Sequence, residues 1–125
     1  MRACLAVGAG GCVGAVLRYL LGLLPVWDKS PFPFSTLLIN TIGAFIIGVV
    51  SGYAMKHTGS NEYLILFLKT GLCGGFTTFS TFSLETLQLY RNGNFLSAGC
   101  YAAGSVLICV TAAGIGQWCI LRGSC

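Results

Sequence analysis

Four apolar stretches, each long enough to cross a bilayer, take up almost the whole of this 125-residue chain. A hydrocarbon core needs about 20 mainly apolar residues per helix. The first stretch runs from about Ala3 to Leu24 and stops at Pro25, with Asp28 and Lys29 in the following loop. The second begins after Pro31-Phe32-Pro33, runs from about Ser35 to Met55 and ends at Lys56-His57. The third covers roughly Glu62 to Tyr90 and the fourth Phe95 to Leu121. Connectors this short make consecutive spans antiparallel. The expected fold is therefore all-α, a single four-helix transmembrane domain over residues 1–125. Only 8% of residues are charged, against about 25% in soluble domains, and no soluble domain is left over.

Several function classes drop out at once. The net charge of +4 comes from scattered Lys and Arg, whereas a nucleic-acid face needs them clustered; nucleic acid is not an expected partner. Seven cysteines include no C-x-x-C pair, and five lie in apolar runs, where Cys behaves as a small buried hydrophobe. Neither a disulfide framework nor a zinc site follows. The first apolar stretch exceeds the roughly 7–15 residues of a signal-peptide core, so the chain is expected to be retained whole. The only histidine, His57, sits in a loop with no acidic residue close by. With no nucleophile elbow, metal-ligand spacing or phosphate loop, an enzyme is not expected.

The third stretch is the unusual one. Gly71-Leu72-Cys73-Gly74-Gly75-Phe76 is followed by five Ser/Thr within seven residues, interleaved with Phe79 and Phe82. Non-helical backbone at membrane depth is tolerated only where protein buries it or a wet cavity adjoins it. The stretch is also long for one straight span. Two half-helices, Tyr63 to Cys73 and about Thr78 to Tyr90, with a break at Gly74-Gly75, account for both facts. Backbone groups freed at such a break coordinate ions in membrane proteins with discontinuous helices. The alternatives are a continuous helix softened by glycine and plain small-residue packing.

Lys and Arg do not orient the chain. With the N-terminus inside, Arg2, Lys56, Lys69 and Arg122 fall inside, and Arg18, Lys29 and Arg91 outside. Orientation follows the Lys/Arg asymmetry, and four against three leaves insertion in both directions open.

Polar groups within spans are functional candidates by default. Asn40 offers amide donors and acceptors about five residues into the second span; an interhelical hydrogen bond is its structural alternative. Arg18 attracts an anion or snorkels to the interface. Glu85 is the one carboxyl well inside a span and needs a partner or water. Thr78 and Ser80 complete the hydroxyl-rich run. Phe79 and Phe82, i and i+3, share a helix face beside Thr81, and their positive ring edges suit a small anion, although core packing is the commoner use. Tyr101 and Ser105, i and i+4, set one polar stripe on the fourth span.

These residues carry a resemblance. The chain resembles the Fluc (CrcB) fluoride channels of microbes in Gly14-Ala15-Val16-Leu17-Arg18-Tyr19, in Thr36-Leu37-Leu38-Ile39-Asn40-Thr41-Ile42-Gly43, and in Gly71 to Phe82 followed by Glu85. The match runs essentially end to end, departing at Ser35, where the family commonly has Gly. The resemblance implies a passive, fluoride-selective channel in the bacterial plasma membrane. It further implies an antiparallel, dual-topology homodimer with two pores. A structural Na⁺ would be held by the backbone carbonyls of Gly74 and Thr77. Fluoride sites would fall at Asn40, Phe79, Phe82, Thr81, Tyr101 and Ser105, with Arg18 at the vestibule. A small multidrug exporter is the alternative, but its first-helix carboxylate has no counterpart here. A non-transporting, lipid-organising protein would explain the glycines without the polar stripes.

Overall fold

The computed structural model of the chain describes residues 1–25 and 32–123. The loop carrying Asp28 and Lys29 lies outside the described residues. The four expected spans are helical: α1 (Arg2–Gly22), α2 (Phe34–Lys56), α3 and α4, which divide the third span, and α5 (Phe95–Arg122). We take α3 as residues 62–76 and α4 as Phe79–Arg91. All four spans are long and apolar enough to cross a membrane, and the chain itself covers little of their surface. Leu20, Leu96, Leu107 and Val110 point outward, as they should where lipid is the solvent. This is a multi-pass membrane protein.

Local chemistry sets the ends of the helices. Asn61 caps α3, its side-chain oxygen accepting from the N–H groups of Tyr63 and Leu64 at 3.0 and 3.3 Å. Glu62 in the first turn suits the positive end of the helix dipole. Between α4 and α5 the chain reverses at Gly93, φ +79°. The Asn94 N–H reaches back to Leu89 O and the Gly93 N–H to Tyr90 O, the paired bonds of a Schellman ending that glycine makes possible. Lys56 donates to the carbonyls of Ile120 and Gly123 at 3.2 and 2.7 Å, tying the end of α2 to the end of α5.

Chain neighbours are antiparallel, as short connectors require, yet the closest packing joins next-but-one helices that run parallel. Gly10 and Gly14 of α1, four residues apart, meet Gly71 and Gly75 of α3, also four apart. A Cβ on Gly14 would collide with the carbonyl oxygen of Leu72, and one on Gly75 with that of Gly11. On the other side, Gly48 of α2 lies against Ala113, and Gly116 of α5 against Phe45. Lipid removes the hydrophobic drive between helices, so close backbone approach through small residues is what holds spans together. The cysteines follow the same solvent logic. Contrary to the expectation of buried hydrophobes, only Cys73 is buried among those described, and Cys4, Cys12, Cys100 and Cys119 lie on the outer surface.

The third span is interrupted, and the position needs correction. Gly74 and Gly75 remain helical within Gly74–Phe76. The extended residues are Thr77 (φ −80°, ψ 157°) and Thr78 (φ −147°, ψ 111°). The glycine pair does not break the helix because Gly75 is needed in the seam with α1, where helical geometry brings it to Gly11. Ahead of it, Leu66–Cys73 is wound as a π-helix, a wider coil common near functional sites.

Candidate functional site at the helix break

Thr36, Asn40 and Gly43 fall at i, i+4 and i+7 of α2 and share a face, which is turned to the break. Asn40 pairs with Thr78 as a neighbouring strand would. Its Nδ2 donates to Thr78 O at 3.1 Å, and its Oδ1 accepts from the Thr78 N–H at 2.7 Å. One side chain thus satisfies both backbone groups of a residue that has left the helix; either group unpaired would cost about 1–3 kcal/mol. Gly43 makes room for this, since a Cβ there would collide with the Thr77 methyl.

Thr78 also starts α4. Its hydroxyl accepts from the Thr81 N–H at 3.2 Å and donates to Thr81 Oγ1 at 2.9 Å, an N-cap that leaves the Thr81 hydroxyl hydrogen unspent. Ser80 Oγ lies 3.3 Å from Thr78 Oγ1. On the other side of the break the Thr77 N–H and hydroxyl both donate to Cys73 O at 2.9 Å. Arg18 Nε donates to Gly75 O at 3.2 Å, a cation at the negative end of α3. Arg18 therefore binds the break from the α1 side.

Glu85 has the partners its depth demands. The Thr36 hydroxyl donates to one carboxyl oxygen and the Tyr101 hydroxyl to the other, each at 2.7 Å. Tyr101 is almost fully buried, and its ring packs against Phe82 with centroids 5.1 Å apart. Phe82 in turn lies 5.5 Å from Phe79, the planes tilted by 41°. Phe79 remains 77% exposed, although it adjoins the polar break.

Between α2, α3, α4 and α5 lies a cleft of about 340 Å³. Asn40, Gly74, Thr77, Thr78, Phe79, Phe82 and Ser105 line it. Ser105 is buried, and its hydroxyl is the one buried side-chain polar atom without a partner among the described residues. No lining residue is charged. Seven of the candidates from sequence are thus gathered in one place. Arg18, Ser80, Thr81, Tyr101 and Glu85 surround the break without lining the cleft. The structure adds Thr36, the partner of Glu85, and Cys73, Gly43 and Cys109 in the cleft wall. Thr36 and Gly43 were detectable, each within one helical turn of Asn40. The cysteines offered no polar signal.

Comparison with known proteins places the chain in a family. A family model described as CrcB-like protein, Camphor Resistance (CrcB), matches residues 5–117. The chain is similar to the fluoride-specific ion channel FluC of Nitrobacter winogradskyi, 45% identical over 109 residues, 86% of each chain. It is similar to that of Hyphomonas neptunium at 43% over 124 residues, 98% of each. Against that of Chlorobaculum tepidum it is 46% identical over 106 residues, covering 85% of this chain and 84% of the relative.

Proposed function

This chain belongs to the CrcB-like family, and on that premise we propose that it is a fluoride-selective channel releasing the ion passively down its electrochemical gradient. The cleft beside the break carries the reading: an uncharged passage in which the unpartnered Ser105 hydroxyl and the Phe79–Phe82 ring pair line one space. An anion leaving water needs donors that replace its hydration shell. Ser105 offers its O–H, and Asn40 the amide hydrogen not spent on Thr78. Ring edges add partial positive charge. Just outside, Thr81 keeps its hydroxyl hydrogen, whereas Tyr101 has given its own to Glu85. An anion using Tyr101 as donor must displace that carboxyl. No Asp or Glu stands in α1, where a small multidrug exporter would carry its carboxylate.

The pathway is completed by a second, inverted copy. Thr77 and Thr78 lie extended near the middle of a 30-residue span, and Gly74, Phe79, Ser80 and Ser83 are exposed around them. Backbone of this kind has to be covered by protein or by a wet cavity. An antiparallel homodimer meets that need and would give two pathways. Gly74 and Thr77 would hold a structural Na⁺ through their carbonyl oxygens. The helical donor for Gly74 O, the Thr78 N–H, is given to Asn40 instead, and uncharged hard oxygens suit a hard cation. The ion would join the two copies at the break.

The test is fluoride efflux from liposomes under valinomycin and a potassium gradient, with chloride as control. Efflux that requires a proton gradient, or equal chloride flux, overturns the channel reading. Impermeant amine labelling from one side, read at Lys56 alone, should modify about half the copies, in keeping with the near-balanced Lys/Arg count, whereas a single orientation would modify all or none. Exchanging Na⁺ for a large organic cation during purification should weaken the dimer; unchanged dimer and flux would remove the ion from the account.

A further inference from the structure

Two of the chain's cysteines, Cys73 of α3 and Cys109 of α5, stand in the wall of the cleft, while the other four described are on the outer surface. They are not equivalent. Cys73 is only 1% exposed, whereas Cys109 is half-buried. Cys109 follows Tyr101 and Ser105 at steps of four, so the three side chains stack along one face of α5. Its Sγ lies 4.0 Å from Thr41 Oγ1. The Thr41 hydroxyl already donates to Leu37 O at 2.7 Å, so the thiol is the donor in that contact and its sulfur lone pairs remain available. One turn away is the Ser105 hydroxyl, buried and without a partner. The remaining wall is largely apolar, with Ala44, Ile47 and Val106 beside the two rings.

We propose that Cys109 is a modification site for small, neutral, thiophilic metal compounds of the methylmercury class, and that its adduct obstructs the ion's path beside Ser105. This rests on the cleft being the fluoride path. Soft thiolate is the preferred ligand of soft metals, and a neutral compound enters an apolar cleft in a membrane without the cost of burying a charge. In the reaction with methylmercury chloride, the mercury–chlorine bond breaks and a mercury–sulfur bond forms. Chloride and the thiol proton leave to water, and no oxidant is consumed. The cleft, about 340 Å³, has room for roughly eleven waters at about 30 Å³ each and so accepts the adduct, which obstructs an ion by standing one turn from the Ser105 hydroxyl and not by filling the space.

The experiment uses the full chain in liposomes with Cys4, Cys12, Cys100, Cys119 and Cys125 replaced by serine. Methylmercury chloride is added, peptide mass mapping locates the adduct, and efflux is compared with the same preparation untreated. We expect one adduct, on Cys109, efflux lost to the level of empty vesicles, and recovery with excess small thiol. Cys109→Ser and Cys109→Ala should each lack the adduct and keep their own untreated rates on exposure. An adduct on Cys73 alone, none on Cys109, or full efflux with Cys109 modified overturns the proposal. If untreated protein moves no fluoride, the channel reading fails, while adduct mapping still tests Cys109 as the modification site.

Discussion

Gly75 and Gly74 are adjacent in sequence and face opposite circumstances. A side chain on Gly75 would run into the backbone of Gly11, whereas one on Gly74 would meet nothing within 4 Å of the same chain. The contrast extends to whole regions. In the α1–α3 seam, Gly10, Gly14, Gly71 and Gly75 bring two backbones together and leave no room. Across α3, Gly74 and Gly43 of α2 border a cleft instead, with Thr77, Thr78 and Ser105 in its wall. A glycine-rich helix in lipid therefore serves adhesion on one face and vacancy on the other. Neighbours, not composition, decide which.

The largest effect should come from filling the seam. Gly14→Leu places a side chain against Leu72 O and the Phe76 N–H, and backbone cannot rotate aside as a side chain can. Overpacking typically costs about 1–3 kcal/mol. At this contact we expect the folded fraction in detergent to be lost by size exclusion and thermal unfolding. A normally folded Gly14→Leu protein would mean that the seam is not a constraint.

Next comes the clamp on the break. Asn40→Leu leaves the Thr78 N–H and C=O without their partner, at about 1–3 kcal/mol for each. Asn40→Asp keeps the acceptor and loses the donor, so it should fall between Leu and wild type in melting temperature. Equal stability of all three would show that the break holds itself.

In the cleft the balance reverses. Ser105→Ala removes a hydroxyl with no partner, so stability should change by less than about 1 kcal/mol, if anything upward. Fluoride flux per folded protein should nevertheless fall. Unchanged flux takes Ser105 out of the path. Phe82→Ile probes the same space, keeping apolar bulk and losing the ring quadrupole. Collapse of flux in a protein that still folds is expected, and normal flux moves selectivity to Asn40 and Thr81.

The smallest effect is the sharpest comparison. Gly74→Ala suits a helical residue with open space around it, and should stabilise the isolated chain by about 0.5–1 kcal/mol. Gly75→Ala, one residue on, should destabilise it. In the proposed dimer the Gly74 methyl faces the second copy, so dissociation on dilution in detergent should ease while unfolding does not.

What could be read from sequence follows the range of each interaction. The four spans were plain because hydropathy is local, and so was an interruption in the third, where hydroxyls crowd an apolar run. Its place at Thr77–Thr78 was not, because whether Gly74-Gly75 bends or packs depends on Gly11, more than 60 residues away. Glu85 declared its need for a partner, but Thr36 and Tyr101 were fixed only by the fold. The Asn40–Thr78 pairing joins positions 38 apart. No periodicity reports such a contact. Glycines spaced by four in α1, α3 and α2 suit close helix packing, but the spacing does not say which face meets which.

The π-wound stretch Leu66–Cys73 has a consequence for chain length. Each turn closes from i to i+5, so the coil stores a residue that an α-helix spanning the same distance would not contain. One residue can be removed between Leu66 and Thr70, and the segment then relaxes to α winding with Gly71 and Gly75 still against α1. The α-wound second span holds no such reserve. A deletion between Gly43 and Gly48 turns all that follows by about 100°, so Asn40 and Gly48 can no longer meet Thr78 and Ala113 together. Of these two spans in the cleft wall, one tolerates a shorter chain and the other does not.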